Sequence, residues 1–219
     1  LTTTANTKWR VLSIDKTTGE VLLITQGATN TDTKVTLEGA TGYLHGAEEL
    51  NRICKELYSS GSLTARSMMV EDINKAVGYD PTTYNNYGKE YTYTSGTFYT
   101  YEENGKTVTS ETPKEASSSN PVTVKKTYYN YDPSSKNSTV GNILGNSSGW
   151  LASPYVYLDS EDAIAGYGLR TAYTTAVYGH YSVYSAGGVS APSWGVRPVV
   201  SLSSKLLDIG DESKDGTTV

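Results

Sequence analysis

The stretch from Trp150 to Leu202 constrains the fold most strongly, because it combines strand-like ends with a largely uncharged middle. Its first four residues read WLAS and its last seven read VRPVVSL, and both segments have the composition of core β-strands. From Thr171 through Val196 there is no Asp, Glu, Lys or Arg. We therefore expect two core strands and, between them, a long uncharged segment.

Tyrosines are spread through this stretch among serine, threonine, alanine and glycine. Tyr provides large contact area at low entropic cost while Ser and Gly adapt around it, as in antibody loops that bind antigen. The whole chain has 19 Tyr and a single Phe, which favours rings that keep a hydroxyl in water. The predicted ligand-binding residues are Tyr155, Tyr157, Tyr167, Tyr173, Tyr178, His180, Tyr181, Tyr184 and Trp194.

Tyrosines that alternate along a strand can also form a half-buried sheet surface. For Tyr173 to Tyr184 we favour the contact surface, because charge is absent and Gly and Ser surround the rings. The tyrosines that we interpret as sheet surface are Tyr99, Tyr101, Tyr128, Tyr129 and Tyr131.

The N-terminal part of the chain reads as a β-hairpin. Lys8–Asp15 and Glu20–Gln26 are rich in strand-forming residues, and Gly19 supplies a left-handed residue for the turn. The side chains that we expect in the sheet core are Trp9, Val11, Val21 and Leu23.

Two helices are predicted after this hairpin. Apolar residues recur at three- and four-residue steps over Leu44–Tyr58, with Gly61 as the predicted C-terminal cap. Cys54 lies on that apolar stripe and is interpreted as a small buried side chain. A shorter helix is predicted over about Val70–Val77, stopped by Gly78.

Residues 80–149 are rich in Tyr, Thr and Ser and poor in aliphatic side chains. Asn104-Gly105 predicts a hairpin over Thr97–Thr109, and Thr123–Tyr131 alternates like another strand. Because this segment lacks aliphatic residues for a core of its own, we interpret it as an insertion within a single domain, residues 1–207. The acidic residues 208–219 are predicted to be a tail.

The composition excludes several classes of partner. A net charge of -5 and a pI near 5.1 argue against nucleic acid. A single cysteine excludes an intrachain disulfide, and no apolar run is long enough to span a bilayer. The start at Leu1, without Met, is interpreted as a processed end whose signal or anchor segment is already removed.

No catalytic or metal-binding pattern is found, so we predict no cofactor and no enzymatic activity. Asp159–Asp162 lacks the spaced ligands and turn glycine of a calcium loop. His45, taken to precede the main helix, and His180 have no nucleophile motif beside them. Arg197, a charge within a core strand, is predicted to be paired with loop carbonyls or with a carboxylate such as Asp159 or Asp162.

The segments that form this frame resemble a known family. They are KWRVLSID, ARSMMVEDINKAVGY, WLAS, SAGGVS and GVRPVVSL. Together they resemble the C-type-lectin-like domains of gut bacterial and phage surface proteins, and the variable proteins of diversity-generating retroelements. The resemblance covers roughly Lys8 to Leu202 and implies an α+β fold with two helices, a small mixed or antiparallel sheet and a Tyr/Thr/Ser-rich β insertion.

In that family the C-terminal region, here 150–202, is hypervariable because mutagenesis at adenines rewrites its exposed residues. Such mutagenesis of Asn-type codons does not produce Lys, Glu, Gln, Met or Trp, and Thr171–Ser193 contains none of them. Glu161 and Trp194 would then be fixed positions.

The predicted function is non-enzymatic binding, of the receptor or adhesin type, to a protein or glycan on another cell or host surface. The location that this implies is extracellular, on the cell surface or on a virion, with no membrane insertion by this chain. The alternative is a structural surface protein, such as a pilus or virion decoration, whose Tyr-rich stretch packs against a neighbouring subunit.

Overall fold

The chain folds as an α+β structure in which every pairing between the described strands is antiparallel. The computed structural model describes residues 8–26, 34–80, 82, 87–127, 148–159, 164–173, 176–178, 182–185, 188–189 and 191–203. The described elements are β1 (Trp9–Asp15), β2 (Glu20–Thr25), β3 (Val35–Thr36), α1 (Gly39–Tyr58), β4 (Ala65–Ser67), α2 (Val70–Val77), β5 (Glu90–Tyr93), β6 (Gly96–Glu103), β7 (Lys106–Ala116), β8 (Val122–Lys125), β9 (Gly149–Asp159), β10 (Ile164–Tyr173), β11 (Ala176–Tyr178), β12 (Ser182–Ser185), β13 (Gly188–Val189), β14 (Ser193–Trp194) and β15 (Pro198–Ser203).

The first sheet joins the two ends of the described chain in the order β1-β2-β15-β4. The predicted N-terminal hairpin is confirmed. Gly19 has a φ of 69°, and the Asp15 carboxylate accepts hydrogen bonds from the Thr17 and Thr18 amides at 2.9 and 3.1 Å. Since β15 lies between β2 and β4, the last described strand completes a sheet that the first strands begin.

The core prediction for this hairpin is correct for Val21 and wrong for Val11. Val21 is fully buried, whereas Val11 is 52% exposed, and Trp9 and Leu23 are partly buried. A register irregularity between Val11 and Ser13 interrupts the alternation of the edge strand β1. The side chains of β1 therefore do not follow the simple two-residue period that the sequence suggested.

Helix α1 begins at Gly39, five residues before the predicted start. Its first turns pack closely on Leu37, since a Cβ on Gly42 would lie 2.9 Å from the Leu37 carbonyl carbon. The helix ends at Tyr58 as predicted, but Gly61 is not its cap. Ser59 follows the helix in an extended conformation, and Gly61 lies in the next turn.

Helix α2 has the predicted bounds and ends at Gly78, which is left-handed with a φ of 68°. At its start, the Asp72 carboxylate accepts a hydrogen bond from the Met69 amide at 2.8 Å. The same carboxylate binds both terminal nitrogens of Arg66, at 2.6 and 2.7 Å. This bidentate pair joins β4 to α2.

The insertion forms its own four-stranded sheet in the order β5-β8-β6-β7. The predicted hairpin is confirmed, because Asn104 and Gly105 both have positive φ, 51° and 73°. The predicted strand from Thr123 corresponds to β8, and Tyr128 to Tyr131 lie outside the described residues. Four buried side chains of this sheet pack into the core cluster that contains Leu50 of α1 and Trp150 of β9; they are Tyr93, Phe98, Val122 and Val124.

Cys54 is fully buried on the apolar face of α1, as predicted. Burial raises the pKa of its thiol to about 12, while the Ser67 hydrogen bond and the Arg66 charge act in the opposite direction. The thiolate, which is the reactive form, is therefore scarce near neutral pH.

We expect the Cys54 thiol to be unreactive toward a thiol-specific disulfide reagent at pH 8 in the folded protein. In denaturant it should react completely, since unfolding removes both the burial and the pKa shift. The rate of thionitrobenzoate release measures this. Fast labelling of a protein whose circular dichroism is native would contradict the burial of Cys54.

Neither helix that the structure describes is both long and apolar enough to cross a bilayer.

Candidate functional site

The Tyr-rich stretch folds around the central strand β10. Strand β9 pairs along one side of β10, β11 and β12 pair with it at different places, and β13 adds to β12. The chain then leaves this sheet, and β14 pairs with β3. The predicted core strands at the two ends of the stretch are confirmed as β9 and β15.

The two ends of the stretch are fastened to each other at Trp150, whose side chain is fully buried. The Trp150 amide donates a hydrogen bond to the Gly195 carbonyl at 2.8 Å, and the indole Nε1 donates to the Val35 carbonyl at 2.7 Å. Two positions further on, the Ala152 amide donates to the Met68 carbonyl at 2.8 Å. The strand that opens the stretch is thus held by three separate parts of the chain.

Tyr167 on β10 was predicted to contact a ligand, and this prediction is wrong, because its side chain has no exposed surface. The ring lies 5.0 Å from the Tyr43 ring and 5.9 Å from the Tyr99 ring, centroid to centroid. Burial raises the pKa of the Tyr167 hydroxyl and the nearby Tyr43 hydroxyl raises it further, whereas backbone hydrogen bonding by Tyr99 and Thr100 acts in the opposite direction. Tyr167 is therefore a core residue that joins β10 to α1 and β6.

The prediction that Tyr155 on β9 contacts a ligand is corrected for the same reason, because the residue is only 1% exposed. The guanidinium of Arg170, itself 2% exposed, lies 5.4 Å from the centre of the Tyr155 ring. Arg170 also donates to the Thr127 carbonyl at 3.3 Å, and the Thr127 hydroxyl accepts from the Val156 amide at 2.8 Å. Thr127 of the insertion thus contacts this part of the sheet, and Arg170 lies over the Tyr155 ring.

Tyr157 fits the predicted contact surface, since 39% of it is exposed. It pairs across the ladder with Gly166, as Tyr155 does with Gly168. A glycine opposite an aromatic residue leaves room for the ring to lie over the neighbouring strand.

The other predicted contact residues are described in part. The backbones of Tyr173 and Tyr178 lie in the hairpin of β10 and β11, and Tyr184 of β12 pairs with Tyr167. Trp194 of β14 is partly buried against the core. His180 and Tyr181 lie outside the described residues. The structure therefore places Tyr157, Tyr173, Tyr178 and Tyr184 in one sheet, with Trp194 in a separate strand pair.

Two arginines within the stretch are buried, Arg170 and Arg197. Arg197 has no exposed surface. Its burial, and to a smaller extent the charge of Arg10, lowers the pKa of the guanidinium to about 10. Its proposed pairing with Asp159 or Asp162 stays a prediction, because Asp162 and the Asp159 side chain lie outside the described residues. Sequence reasoning missed Arg170, although a lone arginine in the strand IAGYGLRTAY carries the same signal as Arg197.

Within the described part of the chain, no group of three or more His, Cys, Asp or Glu side chains is arranged to hold a metal ion. His45 lies inside α1, not before it, and its Nε2 is 2.9 Å from a carboxylate oxygen of Glu111. A groove of about 680 Å³ runs beside the first turns of α1, and its titratable lining residues are Glu38, His45 and Glu49. His45 in this position joins α1 to β7 through an exposed side-chain contact with Glu111.

Comparisons of the chain with protein-family models, with curated proteins and with solved structures find no match. The assignment of function therefore depends on the geometry and chemistry of the chain itself.

Proposed function

We propose that the protein is a non-enzymatic recognition domain of the C-type-lectin-like class, which presents a Tyr-rich surface to a protein or glycan on another cell. The observation that carries this proposal is the position of the charge-free run. Most of it forms the outer strands β11, β12 and β13, while β9 and β10, which support them, are fixed in the core. An adaptable surface on a rigid support is the arrangement that binding proteins use.

The proposed contact residues are revised by the burial of two tyrosines. Tyr155 and Tyr167 become supports of the surface. Binding would bury the faces of the remaining rings and leave hydroxyl hydrogen bonds at the rim, with a few aromatic anchors supplying most of the affinity. The contact residues that we retain are Tyr157, Tyr173, Tyr178, His180, Tyr181, Tyr184 and Trp194.

The C-type-lectin-like assignment is supported by three features of the architecture. The last described strand, β15, pairs with β2 beside the N-terminal hairpin, two helices pack near this sheet, and the Tyr-rich stretch is closed by the Trp150–Gly195 hydrogen bond. We further propose that the outer strands are diversified and that the domain acts at a cell surface or on a virion.

The proposal is tested by binding of the intact chain, displayed on multivalent beads, to a printed glycan array and to intact bacterial cells. The double substitution Tyr178→Ala/Tyr181→Ala should weaken any binding found by about 30-fold, as expected for the loss of aromatic anchors. Tyr87→Ala, at a tyrosine exposed elsewhere on the surface, is the matched control and should bind normally. A folded double variant that binds as tightly as the unsubstituted protein would contradict the proposal.

One feature favours the alternative, a structural subunit. Charged residues or proline on an edge strand prevent it from pairing with another chain. Strand β7 is an example, since it carries Lys106, Glu111 and Pro113. Strands β11 and β13 carry neither, so a neighbouring subunit could pair with them. Light scattering after size-exclusion chromatography separates the two functions. A stable symmetric oligomer that the double variant dissociates would favour the subunit interface.

A further inference from the structure

Two neighbouring residues of β6 connect the insertion sheet to the Tyr-rich sheet, in addition to the contacts of Thr127 and of the shared core cluster. The Tyr99 ring meets the Tyr167 ring edge-on, with centroids 5.9 Å apart and planes at 85°. The Thr100 hydroxyl lies 2.7 Å from the Tyr43 hydroxyl, and the Tyr43 ring is tilted against Tyr167 at 5.0 Å. Tyr167 is thus contacted both directly from β6 and indirectly through α1.

The contact between Tyr43 and Thr100 is buried, whereas Tyr99 is partly buried and Thr109 is exposed. Tyr43 and Thr100 are each 5% exposed, and Thr100 is also 3.0 Å from the Thr109 hydroxyl on the paired strand β7. The hydroxyl contact between Tyr43 and Thr100 fixes the rotation of both side chains, because every alternative leaves a buried polar atom without its bond. The hydroxyl contacts of Thr109, Thr100 and Tyr43 therefore link β7, β6 and α1 beneath β10.

Tyr167 occupies the place on β10 where the pairing with the outer strand β12 is least regular. Tyr167 pairs with Tyr184, and the register of β12 shifts between Tyr167 and Gly168. Short strands with an irregular ladder have few hydrogen bonds of their own to hold them. How well β12 keeps its position therefore depends on how firmly β10 is packed against α1 and β6.

We propose that the insertion is a positioning element for the recognition surface, with Tyr99 and Thr100 as positioning residues that act through Tyr43 and Tyr167. This proposal rests on the proposed function for its purpose, since it assigns to the insertion the task of fixing the strands that would meet the ligand.

Amide hydrogen exchange, followed by mass spectrometry on the unliganded full chain, tests this directly. Tyr99→Ala should accelerate exchange in β10–β12 about tenfold, as expected when an aromatic pair and its buried area are lost. Exchange in β1 and β2 should be unchanged. Thr100→Val, which keeps the shape but removes the hydroxyl, should give a smaller acceleration in the same strands.

Two further variants distinguish positioning from general stability. Tyr101→Ala is the matched control, because Tyr101 lies two residues along β6 and also packs against the core cluster, but its ring lies under Lys114 and makes no ring contact with Tyr167. It should leave β10–β12 unchanged, and Tyr99→Phe should restore slow exchange. Equal acceleration in every sheet, or none in β10–β12, would overturn the proposal. Because no ligand is present, this result is independent of the binding experiment.

Discussion

Replacing Tyr167 with alanine is expected to lower the free energy of unfolding by about 3–5 kcal/mol, the range for removing a large buried aromatic side chain. The ring has no exposed surface and contacts Tyr43 and Tyr99, so its loss leaves a cavity where three elements meet. Such a loss is a large part of the total stability of a domain of this size. Urea unfolding followed by circular dichroism measures it.

The control for this prediction is Tyr157→Ala on the paired strand. Tyr157 is 39% exposed, and its removal should change the free energy of unfolding by at most about 1 kcal/mol. The two variants therefore separate a tyrosine that supports the surface from one that belongs to it. If Tyr167→Ala unfolded at the same urea concentration as the unsubstituted protein, the assignment of Tyr167 to the core would be wrong.

Trp150→Ala is the second substitution with a large expected effect, again a loss of about 3–5 kcal/mol of unfolding free energy. The variant loses a fully buried ring, and the Val35 carbonyl loses the indole as hydrogen-bond donor. Trp150→Phe retains much of the ring but not the donor, and should lose about 1–3 kcal/mol.

Circular dichroism is again the suitable probe, because the chain has three Trp residues and removing one changes the fluorescence itself. Trp9→Ala, at a partly buried tryptophan on the edge strand β1, serves as the comparison and should cost less. Equal losses for Trp9→Ala and Trp150→Ala would contradict the anchoring role assigned to Trp150.

The elements with strong local signals could be predicted from the sequence. Gly19 and Asn104-Gly105 identify their turns because few residues adopt positive φ easily, and the structure has them in that conformation. Gly78 marks the end of α2 for the same reason. In each case, the physical cause lies within a few residues of the feature.

The start of α1 could not be predicted, because its cause is a tertiary contact. Glycine has a poor helix propensity, so Gly39, Gly42 and Gly46 argue against helix in the isolated sequence. In the fold Gly42 and Gly46 allow the helix to approach Leu37, since a Cβ on Gly46 would lie 2.9 Å from the Leu37 Cδ1 atom. Close packing thus outweighs the local preference.

The candidate site was predicted as a region but not residue by residue. Tyr155 and Tyr157 alternate with apolar residues as surface tyrosines would, and nothing near them in sequence shows that Tyr155 is covered. Arg170, whose guanidinium lies 5.4 Å from the centre of the Tyr155 ring, is held by the Thr127 carbonyl, and the ring that packs on Tyr167 from the insertion belongs to Tyr99. Such long-range neighbours leave no periodic signal.

The hydrogen bond between the Trp150 amide and the Gly195 carbonyl has a consequence for chain entropy. This hydrogen bond brings the two ends of the intervening segment together, and it can do so for segments of different length. The entropy cost of closing a flexible loop grows only logarithmically, by about 0.6 kcal/mol for each doubling in length. Since β9 and β10 within this segment are buried in the core, this small cost applies only to the connections between its strands, and insertions there are expected to be tolerated better than insertions within β9 or β10.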